Sequence, residues 1–143
     1  MAVRIKLLIK SRSSGKELEV IALVNSGFET IKPQLLLPIG AAEKLDLWPK
    51  LPNNFKIREY MTPAGAVKLY IVEDELKVKP VVEYSVDPVI SDAVISSIED
   101  EILISDKLAG ALGIMVIDFA EGLWKLRTDP EDTVRRSYTK QRW

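Results

Sequence analysis

The chain has 143 residues, 47% apolar and 29% charged, with 20 basic and 21 acidic side chains and a formal net charge of -1. That length suits one domain with a real core, and the even charge balance gives no reason to expect nucleic acid as a partner. The absence of cysteine and histidine removes disulfides, thiol nucleophiles, Ser-His-Asp triads and the usual zinc sites, which leaves carboxylates, lysines and tyrosines for acid-base chemistry.

No apolar run approaches the roughly 18 residues that span a bilayer, and the opening Met-Ala-Val-Arg-Ile-Lys lacks the layout of a secretory signal. Membrane contact is therefore not expected, and a cytoplasmic location is. The many Lys, Glu, Ile and Val without Cys suit a thermophile.

Residues 3–9 alternate branched apolar side chains with Arg4 and Lys6, as a half-exposed strand does. Residues 11–16, with Gly15, form a polar hairpin loop, and residues 17–24 return as a strand that becomes fully apolar toward its end. That run stops at Asn25, Ser26 and Gly27. A buried strand must surface there, and the three small polar residues suit either a reactive corner or a plain turn. Residues 29–36 are extended and interrupted by Pro33, Pro38 opens a short helix over residues 39–45, and residues 48–54 are a connection.

Residues 55–61 and 67–73 pair as strands around Thr62, Pro63, Ala64, Gly65 and Ala66. This small uncharged tip suits a loop that folds over a ligand or an ordinary surface hairpin. Residues 76–82 continue the sheet, with Pro80 marking an edge or bulge. Residues 88–98 carry a helical stripe, but their β-branched content favours extended structure.

Residues 102–104 are a buried strand running into Ser105, a good helix N-cap, with Asp106 where a negative charge complements the helix start. Leu108, Ala111 and Leu112 give that helix one apolar face, and Gly113 ends it. Residues 114–119 and 123–127 form a last hairpin. From Thr128 the chain turns polar, and residues 129–143, with Arg135, Arg136, Lys140, Arg142, Tyr138 and Trp143, are expected to be a loose tail. Trp48 and Trp124 are read as core or interface aromatics, Asp87, Asp92, Glu99, Asp100 and Glu101 as solvated surface carboxylates, and Glu29 as a partner for Lys107.

The order of these features over residues 3–127 resembles the retropepsin-like aspartic proteases. The first motif of that family is Ala-Leu-(Val/Ile/Leu)-Asp-(Thr/Ser)-Gly-Ala, and residues 22–28 read Ala-Leu-Val-Asn-Ser-Gly-Phe. The second is an apolar pair, Gly, two variable positions and Leu, followed by Leu-Gly or Ile-Gly. Here it reads Leu103-Ile104-Ser105-Asp106-Lys107-Leu108 with Leu112-Gly113, and serine stands where glycine is usual.

The resemblance implies an all-β fold, a closed β-barrel of the acid protease type with a flap hairpin and one or two short helices, in a domain of residues 1–127 followed by a polar tail of residues 128–143. It also implies a homodimer acting on a peptide or unfolded protein without metal or cofactor. Residue 25 of each copy would face its twin, Ser26 and Gly27 would hold the pair, Phe28, Glu29 and Thr30 would line the peptide channel, and Thr62, Pro63, Ala64, Gly65 and Ala66 would be the flap. Asn25 is the departure that matters, because a carboxamide keeps the shape of a carboxylate but exchanges no proton near neutral pH. General acid-base work contributes about 10²–10⁴-fold per group, so the chain as written is expected to be inactive. It is then either an Asp-to-Asn variant of an endopeptidase or a pseudoprotease that binds peptides as a dimeric module.

Overall fold

The computed structural model describes residues 2–143, with the side chains of Tyr60 and Thr62 outside the description. In chain order the elements are β1 (Arg4–Ser11), β2 (Glu17–Val24), β3 (Gln34–Pro38), α1 (Ile39–Lys44), β4 (Lys56–Thr62), β5 (Gly65–Pro80), β6 (Val89–Ser96), β7 (Ile102–Ile104), α2 (Asp106–Leu112), β8 (Ile114–Asp118), β9 (Leu123–Leu126) and β10 (Arg135–Arg136). The main sheet runs β1-β2-β7-β3-β6-β5-β4, and an added pairing of β1 with β5 closes six of these strands into a barrel. The strand β4 is left outside the closed ring, paired only with β5 as the outer arm of a hairpin. No helix among the described residues is long and apolar enough to cross a membrane.

Alternation sets which side chains fill the barrel. From β1, Ile5, Leu7 and Ile9 point inward and meet Val20 and Ala22 of β2, where Leu7 pairs with Val20 and Ile5 with Ala22. Residues 35–37 of β3, 93–95 of β6 and 102–104 of β7 are apolar without alternation, because both faces are covered there. Inward, Leu35, Leu37, Ala93, Ile95, Ile102 and Ile104 join the main core. Outward, Leu36 and Val94 form a second cluster with Ile71, against which Phe28, Leu69 and Leu103 pack. Ala41 and Ala42 of α1, together with Leu45 and Leu47 after it, extend the main core, and Leu108 and Leu112 of α2 are likewise buried in it.

Two segments expected to be separate strands are one. The 16-residue β5 covers both, with a register shift between Val72 and Leu76 and a left-handed φ of 53° at Asp74. A non-glycine residue seldom adopts that backbone, and two buried carboxylates hold it. Asp92 accepts the Asp74 N–H at 2.9 Å, while Glu75 accepts from Ser11 Oγ at 2.6 Å and from the Ser13 N–H at 3.1 Å. The bulge lets one strand serve the hairpin at its start and the barrel at its end.

Residues 128–143 are not a loose tail. The Arg135 guanidinium donates to Asp129 at 2.8 and 2.9 Å and to Glu83 at 2.6 and 3.1 Å. The Tyr138 N–H donates to Arg4 O at 3.0 Å, Gln141 Oε1 accepts the Ile21 N–H at 2.8 Å, and the Trp143 N–H donates to Asp100 O at 2.9 Å. Trp143 lies over Gly40, where an added Cβ would come within 3.4 Å of the Trp143 Cβ. The solvated reading of the acidic residues also fails for Asp92 and Glu101, which are 1% and 4% exposed. Lys32 pairs with Asp92 at 3.0 Å and Arg4 with Glu101 at 2.6 Å. The buried Trp124 belongs to the core, and Trp48 packs edge-on against Tyr70 at 5.1 Å.

The Arg135 guanidinium holds the Asp129 carboxyl well below the usual carboxylate range, against the opposing effect of burial and with help from the Leu126 N–H and the Tyr84 hydroxyl. A carboxyl depressed in the folded state stabilises the fold fully above its ordinary pKa and loses that contribution as pH falls toward the folded value. Asp129→Asn should cost about 3 kcal/mol near neutral pH, as for breaking a buried ion pair. The deficit should shrink below about pH 4, as read from urea denaturation of both proteins across a pH series.

Candidate functional site

The corner after β2 is tied to the strand beside it. The Asn25 N–H donates to Ile104 O at 3.2 Å, the Asn25 carbonyl accepts the Phe28 N–H at 3.0 Å, and Asn25 Oδ1 accepts the Gly27 N–H at 3.1 Å. The side chain is thus locked against its own turn, with Asn25 half-buried and Ser26 and Gly27 exposed. Gly27 does not take a left-handed φ. Its lack of a side chain matters for another reason: an added Cβ would lie 3.3 Å from Asn25 Oδ1, tight enough to push residue 25 out of place.

The two motif stretches interlock at β7 and the start of α2. The Asp106 N–H donates to Phe28 O at 3.0 Å, and Asp106 Oδ1 accepts the Thr30 N–H at 2.9 Å and the Lys107 N–H at 2.8 Å. The Thr30 N–H is the main reason the Asp106 carboxyl sits below its ordinary range, with the Lys107 N–H adding to it. Ser105 closes the joint. Its N–H donates to Gln34 O at 3.1 Å, and its buried Oγ accepts both the Gln34 N–H and the Leu108 N–H at 3.1 Å. It therefore caps α2 and anchors β3 with one oxygen. At the other end of α2, Gly113 adopts φ 77°, the left-handed cap that favours glycine.

Phe28, Glu29 and Thr30 line a cleft of about 380 Å³ together with Lys56, Arg58 and Ile71 from the stem of the β4–β5 hairpin. The hairpin turns at Pro63 and Ala64, closed by the pairing of Thr62 with Gly65. Gly65, at φ 117°, meets a backbone requirement that a side chain would strain. Pro63, Ala64, Gly65 and Ala66 are all exposed, and the Thr62 side chain lies outside the described residues. Neither these tip residues nor Asn25, Ser26 and Gly27 line the cleft. Glu29 does not pair with Lys107, because Asp106 holds the neighbouring Thr30 while the Glu29 side chain remains exposed.

Sequence reasoning did not find the cleft's apolar floor or its ionic wall. The floor residues Phe28 and Ile71 rest on the outward cluster of Leu36, Val94 and Leu103, which was signalled by the unbroken apolar runs Leu35-Leu36-Leu37, Ala93-Val94-Ile95 and Ile102-Leu103-Ile104, whose middle residues must face outward if the outer two face in. The wall joins Lys32 to Asp92 and Asp74, with Gln34 Nε2 donating to Asp92 at 3.1 Å. The Asp92 hydrogen bond leads in raising the Lys32 ammonium above its usual pKa. Among the described residues no group of three or more acidic side chains is arranged to hold a metal ion.

No protein-family model matches the chain, and no curated protein matches it either.

Because Ser105 Oγ serves two N–H donors, Ser105→Ala should destabilise the protein by about 1–2 kcal/mol, the upper range for a lost N-cap. Chemical denaturation with an unchanged m-value would show this, and a change below about 0.3 kcal/mol would mean that Ser105 is not the joint.

Proposed function

We propose that the chain is one half of a homodimeric, retropepsin-like aspartic endopeptidase, silent in its present form because residue 25 is asparagine. The observation that carries this reading is the interlock of the Asn25 corner with the Ser105–Asp106 turn, beside a cleft walled by the stem of an exposed hairpin. Such a joint holds one short polar side chain at the end of β2, where a carboxylate would accept the same Gly27 N–H.

With aspartate at position 25, two copies facing each other share a single proton, since like charges at close range do not both ionise. One carboxylate takes a proton from a water whose oxygen bonds to the scissile carbonyl carbon, and the other gives its proton to the carbonyl oxygen. The tetrahedral adduct then collapses as the C–N bond breaks and the departing nitrogen takes up a proton. The Gly27 N–H that donates to Asn25 Oδ1 would hold the carboxylate in the same place. An amide at position 25 keeps that hydrogen bond and transfers no proton, so binding survives and turnover does not.

The surface best suited to the twin is β8. It is an edge of the sheet β10-β9-β8, and it leaves Met115, Ile117 and the following Phe119 about half exposed. An unpaired apolar edge is self-complementary across a twofold axis. A chain of hydrogen bonds also links the turn of the β8 hairpin to the end of β2. The Ser137 N–H donates to Gly122 O after this hairpin, the Arg4 N–H donates to Ser137 Oγ, and the Val24 N–H, one residue before Asn25, donates to Val3 O.

Asn25→Asp should cleave unfolded protein substrates at least about 10²-fold faster than the present chain, with a bell-shaped pH profile centred in the acid range. Ile117→Lys in that background should abolish both the dimer, seen by sedimentation, and the cleavage. If the Asn25→Asp dimer binds peptides and never cuts them, the chain is a peptide-binding module, a role that Asn25 itself favours.

A further inference from the structure

We propose that the cleft selects peptides carrying an acidic side chain, and that Arg58 is the residue that reads it. This rests on the cleft being a peptide site and adds the class of peptide it takes.

The hairpin turns one face toward the cleft. Cross-strand partners share a face, and β4 pairs Lys56 with Ile71 and Arg58 with Leu69. Leu69 and Ile71 belong to the apolar cluster that Phe28 joins, so Lys56 and Arg58 stand on that same face, above an apolar floor.

The charges around this floor are unequal in their commitments. Lys32 pairs with Asp74 at 3.1 Å and Asp92 at 3.0 Å. Lys56 pairs with Glu73 at 3.0 Å. The Arg58 guanidinium, exposed on the hairpin wall, has neither an ion pair nor a hydrogen bond among the described residues, and neither does the Glu29 carboxylate on the opposite arm. Both line one cleft without meeting.

An uncommitted guanidinium beside apolar surface is suited to a carboxylate, which it binds through two parallel hydrogen bonds. Glu29 sharpens the choice, because it repels an acidic side chain placed on its own side and favours a main-chain N–H or a basic group there. A peptide lying between the arms would therefore direct its carboxylate toward the hairpin and apolar groups toward Phe28 and Ile71.

The test uses the chain as it stands, with Asn25 in place, so that binding is read without cleavage. Fluorescein-labelled octapeptides of Ala, Val and Ser carry one Glu walked across the positions, with a matched Gln series, and binding is followed by anisotropy at low salt. At one position Glu should bind about fivefold more tightly than Gln, and the difference should fade at high salt. Arg58→Glu should reverse the preference, and Arg58→Lys should keep its direction while weakening it. Equal binding of both series, or a Glu preference that survives Arg58→Glu, overturns the inference and leaves the peptide site standing. No binding of either series overturns the peptide site and this inference with it.

Discussion

The structure depends on the three-residue strand β7, which is hydrogen-bonded on both sides, to β2 in parallel and to β3 in antiparallel register. A strand in that position has no water to satisfy its backbone, so both neighbours must stay in place. Its C-terminal end then fixes two further segments. Ile104 O receives the Asn25 N–H, and Ser105, one residue on, ties β3 to α2. The corner at Asn25 is held by its attachment to a strand bonded on both sides rather than by its own residues, which are small and polar and would be mobile in an ordinary loop.

The same strands produce the cleft. Since β3, β6 and β7 are covered on both faces, their outward residues Leu36, Val94 and Leu103 need a second apolar layer, and Phe28, Leu69 and Ile71 supply it. Ile71 lies near the point where β5 leaves the barrel to become the hairpin stem, and the Asp74 bulge held by Asp92 lies just beyond. The buried Asp92 carboxylate therefore both helps to hold the bulge beyond the hairpin stem and pairs with Lys32 on the cleft wall. Removal of Asp92 should loosen stem and wall together, because they share its oxygens.

What was legible in the sequence was local. Residues 102–113 read correctly because each level agreed, with an apolar run, a capping serine, a helical stripe and a glycine that takes φ 77°. The abrupt end of β2 at Asn25 was equally plain. The ordered tail was not, because its contacts join residues far apart in the chain, such as Tyr138 to Arg4 and Trp143 to Asp100, and a polar composition looks the same whether its groups bond to water or to protein. Burial of Asp92 and Glu101 was hidden for the same reason, as their partners Lys32 and Arg4 are remote in sequence. The continuity of β5 was obscured by Asp74, whose unusual backbone is sustained by the neighbouring Asp92 and Glu75 carboxylates. Gly27 lies in the tight turn closed by the Phe28 N–H to Asn25 O bond, as a small-residue corner requires, and it also leaves room for Asn25 Oδ1, which the sequence does not show.

The central claim is that the polar corner is half of a site completed by an identical corner. The chain contains no cysteine, so Ser26→Cys would carry a single thiol at the corner. A disulfide requires Cα atoms about 4.4–6.8 Å apart. Mild oxidation of that variant at low protein concentration should convert it almost fully to a covalent dimer with its circular dichroism unchanged. A protein that stays uncrosslinked while sedimenting as a dimer, or that sediments as a monomer, would contradict the account.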